Sequence, residues 1–304
     1  MIVTTPQEFL DVYSPDRFPP TAPATARAAF LVSPTGFSLA PESAIDNRYM
    51  AMHERTDAAR ALVEHAELAS RLRSSVPTIV FPGDPQTPDG VFPNNVFATA
   101  SRNLIVGAMR HAVRKREADR ADIRAFFSDI LGYTIVDLSG QPFAAELTGS
   151  LVIDHARGIG YCGLSDRCDM AGARAMHEAF DLKLMFCFAL ASGEYHTNVV
   201  LAILASRAAI IAPDGFADAA AADAIAHVYA PQALCLHSSQ KAAFAGNAIT
   251  LSPDAVWMSA RAAASLSPAQ TASLAAWGFA VCSVELGEIE KAGGSLRCCV
   301  AEIF

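Results

Sequence analysis

The side chains with most chemistry to offer are a thiol at Cys298, an imidazole at His196, and carboxyl or amide groups at Asp89, Asn95 and Glu146. Cys298 follows Ala292-Gly293-Gly294-Ser295-Leu296-Arg297, where two glycines and a serine allow a close backbone approach, and it opens a short apolar run. A thiolate is the reactive form and a neighbouring cation such as Arg297 favours it, so a cysteine held on a strand at the mouth of a cleft suits a nucleophile. The same spacing also fits two small hydrophobes, Cys298 and Cys299, in a terminal strand. His196 precedes an apolar run, as an acid/base or as a hydrogen-bonded structural histidine. Asp89 and Asn95 bracket Asp89-Gly90-Val91-Phe92-Pro93-Asn94-Asn95, a run of turn formers that feeds a strand, which is where α/β proteins usually keep their sites. Together these groups fit one chemistry, nucleophilic catalysis by cysteine with a histidine moving the protons.

Short strands alternating with helices must position them. Residues 28–33 form an apolar strand closed by Pro34 and Gly36, 45–73 carry helical spacing, and 78–81 form another strand. A strand at 103–108 leads into the basic run Arg110-His111-Ala112-Val113-Arg114-Lys115-Arg116, which reads as a solvated loop or helix entry. A helix over 117–131, a strand at 134–138, a hairpin of 151–154 with 159–162 and a helix over 170–180 follow. Strands at 184–188, 199–205 and 208–212, an alanine-rich helix over 217–228, a helix opened by Ser267-Pro268, and a strand at 279–284 lead to the cysteine element. The class is α/β, with a strand, turn, strand and helix recurring every 50 to 60 residues or so, which hints at repeated units. No composition break marks a linker, so we expect a single domain over 1–304 with an irregular lead-in at 1–26.

Composition excludes several functions. The chain has 304 residues, 52% hydrophobic, and a net charge of -8, so neither nucleic acid nor an anionic membrane surface is an expected partner. Mean hydropathy is +0.26, ample for a buried core. Seven cysteines without a CxxC pair or zinc spacing read as reduced thiols in a cytoplasm. Residues 1–20 lack a basic region followed by an apolar run, so no secretory signal is expected. Neither GxGxxG nor GxxxxGK[ST] is present, which argues against dinucleotide or NTP binding.

Five segments in order, Asp89-Gly90-Val91-Phe92-Pro93-Asn94-Asn95, Glu146-Leu147-Thr148-Gly149-Ser150, Gly163-Leu164-Ser165-Asp166-Arg167, Tyr195-His196-Thr197-Asn198 and Gly293-Gly294-Ser295-Leu296-Arg297-Cys298, resemble the motifs of the guanidine-modifying (pentein) superfamily of arginine deiminases, dimethylargininases and amidinotransferases. Phe244-Ala245-Gly246-Asn247 and Cys299-Val300-Ala301-Glu302-Ile303-Phe304 extend the likeness toward the citrulline utilisation hydrolases, labelled arginine deiminase-related or amidinotransferase. The resemblance implies a five-bladed pseudosymmetric α/β propeller with the site at its centre. It implies Cys298 as nucleophile, with Cys299 on the opposite strand face, His196 as general acid/base and Glu146 as the carboxylate that orients histidine and substrate. Asp89, Asn95 and Phe92 belong to the loop that grips the planar head group, and Arg167, assisted by Arg114, would hold the α-carboxylate of an amino-acid substrate. No metal or cofactor is implied, and the oligomeric state stays open, a homodimer included.

Two departures from the superfamily pattern stand out: Leu147 where Gly commonly follows the carboxylate, and Asn95 where arginine-consuming relatives usually place Asp. A guanidinium has only donors and calls for carboxylates on both flanks, whereas a ureido carbonyl can accept from the Asn95 amide. The expectation is a citrulline hydrolase giving ornithine, carbon dioxide and ammonia. The alternatives are an arginine or methylarginine hydrolase or an amidinotransferase, and a non-enzymatic binding protein on the same fold.

Overall fold

The apolar runs resolve into hairpins whose turns are tight. Phe97–Ala100 pairs antiparallel with Asn103–Val106 across Ser101-Arg102, both at positive φ (49° and 61°), and Leu201–Leu204 pairs with Ala208–Ile211 across Ala205-Ser206 at 44° and 56°. Two consecutive positive φ values give the turn whose twist matches that of the strands it joins. Leu151–Asp154 with Ile159–Leu164, and Ile249–Ser252 with Ala255–Ser259, are also antiparallel hairpins, without that pair of positive φ values. In each case a helical segment then carries the chain to a third strand, parallel to the second: Thr134–Asp137, Leu184–Ala189, Ala233–Cys235 and Ala280–Val284. A strand joined to a parallel neighbour needs such a crossover.

The computed structural model describes all residues 1–304. It holds five such sheets, and the fifth is assembled from distant parts of the chain: Ala301–Ile303 pairs antiparallel with Ala28–Val32, which pairs parallel with Thr78–Phe81. Ala301–Ile303 packs on Phe97–Ala100, while Leu201–Leu204 packs on both Leu151–Asp154 and Ile249–Ser252. The first strands of the units therefore face one another and the helices lie outside. The helix Ala58–Leu72 shows why: Ala61, Leu68, Ala69 and Leu72 are buried along one face, the stripe an amphipathic helix presents to a sheet.

Four sequence expectations change. The lead-in is irregular only over 13–26: before that, Ile2–Val3 adds a fourth strand beside Leu184–Ala189, and Pro6–Val12 is a helix with a Thr5/Glu8 capping box. Phe9 anchors it, fully buried and stacked on Phe186 at 4.8 Å. The helical spacing from 45 holds only for Ala58–Leu72, because Asp57 caps that helix at Ala59 and Arg60. Residues 117–131 break into a 3-10 turn, a short α-helix and the π-helix Phe126–Ile130. Cys298 lies in the 3-10 turn Leu296–Cys299 just before its strand, not on the strand.

Candidate active site

The polar residues that end each loop fall on the inner side of the ring. The turns Pro93–Asn95, Leu147–Ser150, Thr197–Val200 and Leu296–Cys299, with Phe244-Ala245-Gly246-Asn247 in the corresponding place, each precede the first strand of a unit. They are stitched to one another by side chains. Asn94 Nδ2 donates to the Thr148 carbonyl (3.3 Å), Thr148 Oγ1 to the Asn94 carbonyl (3.0 Å), Asn198 Nδ2 to the Thr148 carbonyl (3.1 Å) and Asn247 Nδ2 to the Asn198 carbonyl (2.8 Å). The Arg297 N–H donates to Asn247 Oδ1 (3.0 Å), and the next residue is Cys298. A thiol held on such a ring has little freedom to wander.

The approach to Cys298 needs its glycines. Gly293 sits at φ 76°, and a Cβ there would come within 2.4 Å of Asn47 Nδ2; a Cβ on Gly294 would meet the Phe92 ring at 2.9 Å. Asn47 Nδ2 and the Tyr195 hydroxyl both donate to the Gly293 carbonyl. Cys298 is 1% exposed, and its sulfur accepts from Asn247 Nδ2 at 3.3 Å and lies 3.7 Å from Asn198 Oδ1. Burial pushes this thiol's pKa up, and nearby polar and cationic groups only partly offset that. Arg297 does not point its charge at the sulfur as the sequence suggested. Its guanidinium bonds the Val300 carbonyl (2.7 Å) and Glu302 (2.9 Å), because the strand that follows supplies both acceptors.

His196 and Glu146 are both fully buried and joined, Nε2 to Oε2, at 2.9 Å. Burial pushes the Glu146 pKa up, but the charges of Arg167 and His196 outweigh it and hold the carboxyl well below the usual range. An ionised Glu146 fixes the tautomer: Nε2 carries the hydrogen and Nδ1, buried and without a partner, keeps its lone pair. Burial lowers the His196 pKa against the pull of Glu146, so the ring rests neutral. The backbone N–H of Arg110 donates to Glu146 Oε1 (3.1 Å), and in the basic run, which is a helix entry, only Arg114 is buried while Arg110, Lys115 and Arg116 are exposed. Leu147 is fully buried at φ 27°, in the region that favours glycine, so this turn holds a strained residue.

A narrow cavity of about 10 Å³ runs down to the sulfur, lined by Ser43, Asp89, Phe92, Asn95, Arg114 and Arg167 among others; it has room for about one water molecule. Asp89 Oδ2 accepts from Ser43 Oγ at 2.5 Å, while Oδ1 is buried and unbonded. Burial raises the Asp89 pKa, with Arg114 opposing. Asn95 Oδ1 is likewise buried without a partner, against Gly149, where a Cβ would clash with both that oxygen and the His196 ring at 2.7 Å. Arg114 is tied to Glu117 (2.7 and 2.9 Å) and to the Phe92 carbonyl (3.2 Å), so it braces the loop that carries Asp89 and Phe92. His196 and Glu146 stand behind the cavity wall and do not line it.

The expected clamp on an α-carboxylate is already occupied. Arg167 donates through Nε and Nη2 to Asp46 (2.9 and 2.5 Å), through Nη2 to the Ser43 carbonyl (3.0 Å) and through Nη1 to Glu146 (3.2 Å). A buried guanidinium needs these acceptors, and in this state they leave no fork free for substrate. Asp46, Ser43, Asn198 and Asn247 were not among the residues singled out from sequence. The two asparagines stood inside quoted motifs; Asp46 lay in a stretch that looked helical, and Ser43 lay just before it.

Residues 33–304 match the family model of eukaryotic N,N dimethylarginine dimethylhydrolase. The chain belongs to that family. It is thereby a hydrolase of carbon–nitrogen bonds other than peptide bonds. Among solved structures, it resembles the N-terminal domain of an ArgZ variant covalently bound to a reaction intermediate (TM-score 0.78, 19% identity, 91% of this chain and 97% of that one). It also resembles full-length ArgZ, an arginine dihydrolase from the ornithine–ammonia cycle in cyanobacteria (TM-score 0.80, 20% identity, 91% of this chain but 40% of that one). A third is a dimethylarginine dimethylaminohydrolase adduct with 4-chloro-2-hydroxymethylpyridine (TM-score 0.68, 20% identity, 91% and 99%). These likenesses establish the pentein fold expected from the motifs, five ββαβ units about a central axis. No curated protein matches the chain significantly. No helix is long and apolar enough to cross a membrane, and all seven cysteines are free.

Proposed function

We propose that Cys298 attacks the planar carbon of a terminal ureido or guanidino group on a free amino acid and that the final product is ornithine, with citrulline the substrate the site fits best. The observation that carries this reading is a pair of unbonded buried acceptors, Asp89 Oδ1 and Asn95 Oδ1, on two residues that line the cavity with Cys298. Buried acceptors without donors are costly, and a planar group edged with N–H bonds would satisfy them. The Asn95 side chain makes no hydrogen bond in this state, so its amide can also turn to donate to a ureido carbonyl.

His196 Nδ1 takes the thiol proton and passes it to the departing nitrogen as the sulfur–carbon bond forms and the carbon–nitrogen bond breaks. The same nitrogen then takes a proton from the water that opens the thioester-like adduct and returns it to the Cys298 sulfur, releasing a carbamic acid whose second carbon–nitrogen bond breaks as carbon dioxide leaves. Citrulline and one water give ornithine, carbon dioxide and ammonia. Arg167 keeps Glu146 ionised and meets the substrate's α-carboxylate by exchanging Asp46 for it. The free thiols fit a reducing compartment such as the cytoplasm.

Arginine is the second reading, and Asp89 favours it: a carboxylate whose only hydrogen bond is from Ser43 would bind a guanidinium as an ion pair. That cation would also ease ionisation of a thiol that burial holds protonated. ArgZ, which shares this fold, is named an arginine dihydrolase, and that name also supports this second reading. The test is an end-point assay of purified protein with citrulline, arginine and methylarginine, following ammonia, ornithine and citrulline, with Cys298→Ser as blank. Ornithine from citrulline, lost by about a thousand-fold or more in the variant, is the expected result. Turnover by Cys298→Ser at the wild-type rate would overturn the nucleophile, and citrulline accumulating from arginine alone would replace the first reading with the second.

A further inference from the structure

We propose that Asn247 is a positioning residue for the nucleophile: its amide fixes the Cys298 sulfur at the floor of the cavity and stabilises the thiolate by donating a hydrogen bond to it. The inference rests on Cys298 being the nucleophile, but its test reads the thiol directly.

The orientation of this amide is set by the backbone, not chosen to suit the sulfur. Asn247 Oδ1 accepts the Arg297 N–H at 3.0 Å, and a backbone N–H can only donate, so the oxygen must face Arg297. Nδ2 then faces the other way, with one hydrogen on the Asn198 carbonyl at 2.8 Å and the second toward the Cys298 sulfur and Asn198 Oδ1, both at 3.3 Å. In the thiol state the S–H can point at Asn198 Oδ1, 3.7 Å away, and the second amide hydrogen is shared. Once the proton leaves, the sulfur becomes the stronger acceptor and takes that hydrogen.

The Ser295 backbone helps the thiolate first, and Asn247 is the side chain that adds most to it, ahead of the charges of Arg297 and Arg114. The nearest cation in sequence, Arg297, is spent on Glu302 and the Val300 carbonyl, and Arg114 on Glu117. No other side-chain donor bonds the sulfur. Asn247 is itself fully buried, and a Cβ on its neighbour Gly246 would meet the Val199 carbonyl at 2.4 Å, so the turn has no room to re-aim. A hydrogen bond to a charged acceptor changes the ionisation of its partner by roughly one to two pH units.

The decisive variant is Asn247→Asp, which keeps an oxygen for the Arg297 N–H and nearly the same volume, but replaces the donor beside the sulfur with an acceptor. Asn247→Ala, which removes both, is the second. The measurement is the rate of Cys298 carbamidomethylation by iodoacetamide against pH, with the site read by peptide mass spectrometry and folding by circular dichroism. In folded Asn247→Asp the midpoint should rise by about one unit or more and the rate at neutral pH should fall about ten-fold. In turnover kcat should fall with its rising pH limb displaced upward, while KM changes little. An alkylation profile that overlays wild type in a folded Asn247→Asp protein would overturn the proposal, as would a rise in KM with kcat and its pH limb unchanged. If Cys298 proves not to be the nucleophile, the alkylation profile still reports on Asn247 while turnover survives in Cys298→Ser, so the two failures separate.

Discussion

At the scale of single residues, the site is organised by which polar atoms are satisfied and which are not. Glu146 is bonded by His196, Arg167 and the Arg110 N–H, so it is a fixed charge; Asp89 and Asn95 each keep a buried oxygen free. On the proposed reading the free oxygens of Asp89 and Asn95 receive the ligand, which gives Asn95 a testable role. Asn95→Asp would set a second carboxylate beside Asp89, and should lower kcat/KM for citrulline by about ten-fold or more while raising the arginine-to-citrulline ratio, measured by competition between the two. Equal losses on both substrates would assign Asn95 to structure rather than discrimination. Cys298, His196, Glu146, Asp89 and Asn95 were singled out because they lie in polar segments that lead into apolar strands and because those segments match the superfamily motifs. Asp46 was not, since its role depends on Arg167, 121 residues away, and nothing local distinguishes it from any other surface aspartate.

At the scale of elements, what positions the site are short turns that periodicity does not reveal. Thr197–Val200 and Leu296–Cys299 read as strand starts because their apolar residues continue into strands, yet both are helical turns that aim a polar residue at the axis. Long helices were easier, and Ala58–Leu72 carries its own chemistry. His65 on that helix is buried with Nε2 unbonded, and burial lowers its pKa to about 4. The unfolded chain, with an ordinary histidine near 6.5, therefore binds the extra proton first as pH falls. His65 thus costs the fold nothing above about pH 6.5, and destabilises it progressively down to about pH 4. His65→Gln should lose less stability than wild type over that window, by about 2–3 kcal/mol at its acid end, read from urea denaturation at several pH values. A constant difference across the window would show that His65 keeps an ordinary pKa when folded.

Across the whole molecule, the recurring strand, turn, strand and helix was visible as a period, but the way the ring is completed was not. A sheet formed by Ala301–Ile303 and Ala28–Val32 leaves no local trace in either segment. The segment before it was likewise misjudged, because Pro and Thr hide a capped helix whose one large apolar residue does the anchoring. Phe9 packs on Phe186 and edge-on to Tyr161, within a core shared by neighbouring units. Phe9→Ala should cost about 3–5 kcal/mol by urea denaturation and leave kcat near wild type at a temperature where the variant is folded. A negligible loss would return residues 1–12 to the role of a dispensable lead-in.

The strand that shuts the ring begins three residues after the thiol, and this ties assembly to reactivity. During synthesis, the carboxylates, the histidine and both asparagines that surround the sulfur emerge well before it does. Until Ala301–Ile303 finds Ala28–Val32, the nascent chain holds a receptor without its warhead. With Cys298 as the proposed nucleophile, the reactive atom is thus the last of these groups to be made, and a fragment that stops before residue 298 would show no turnover.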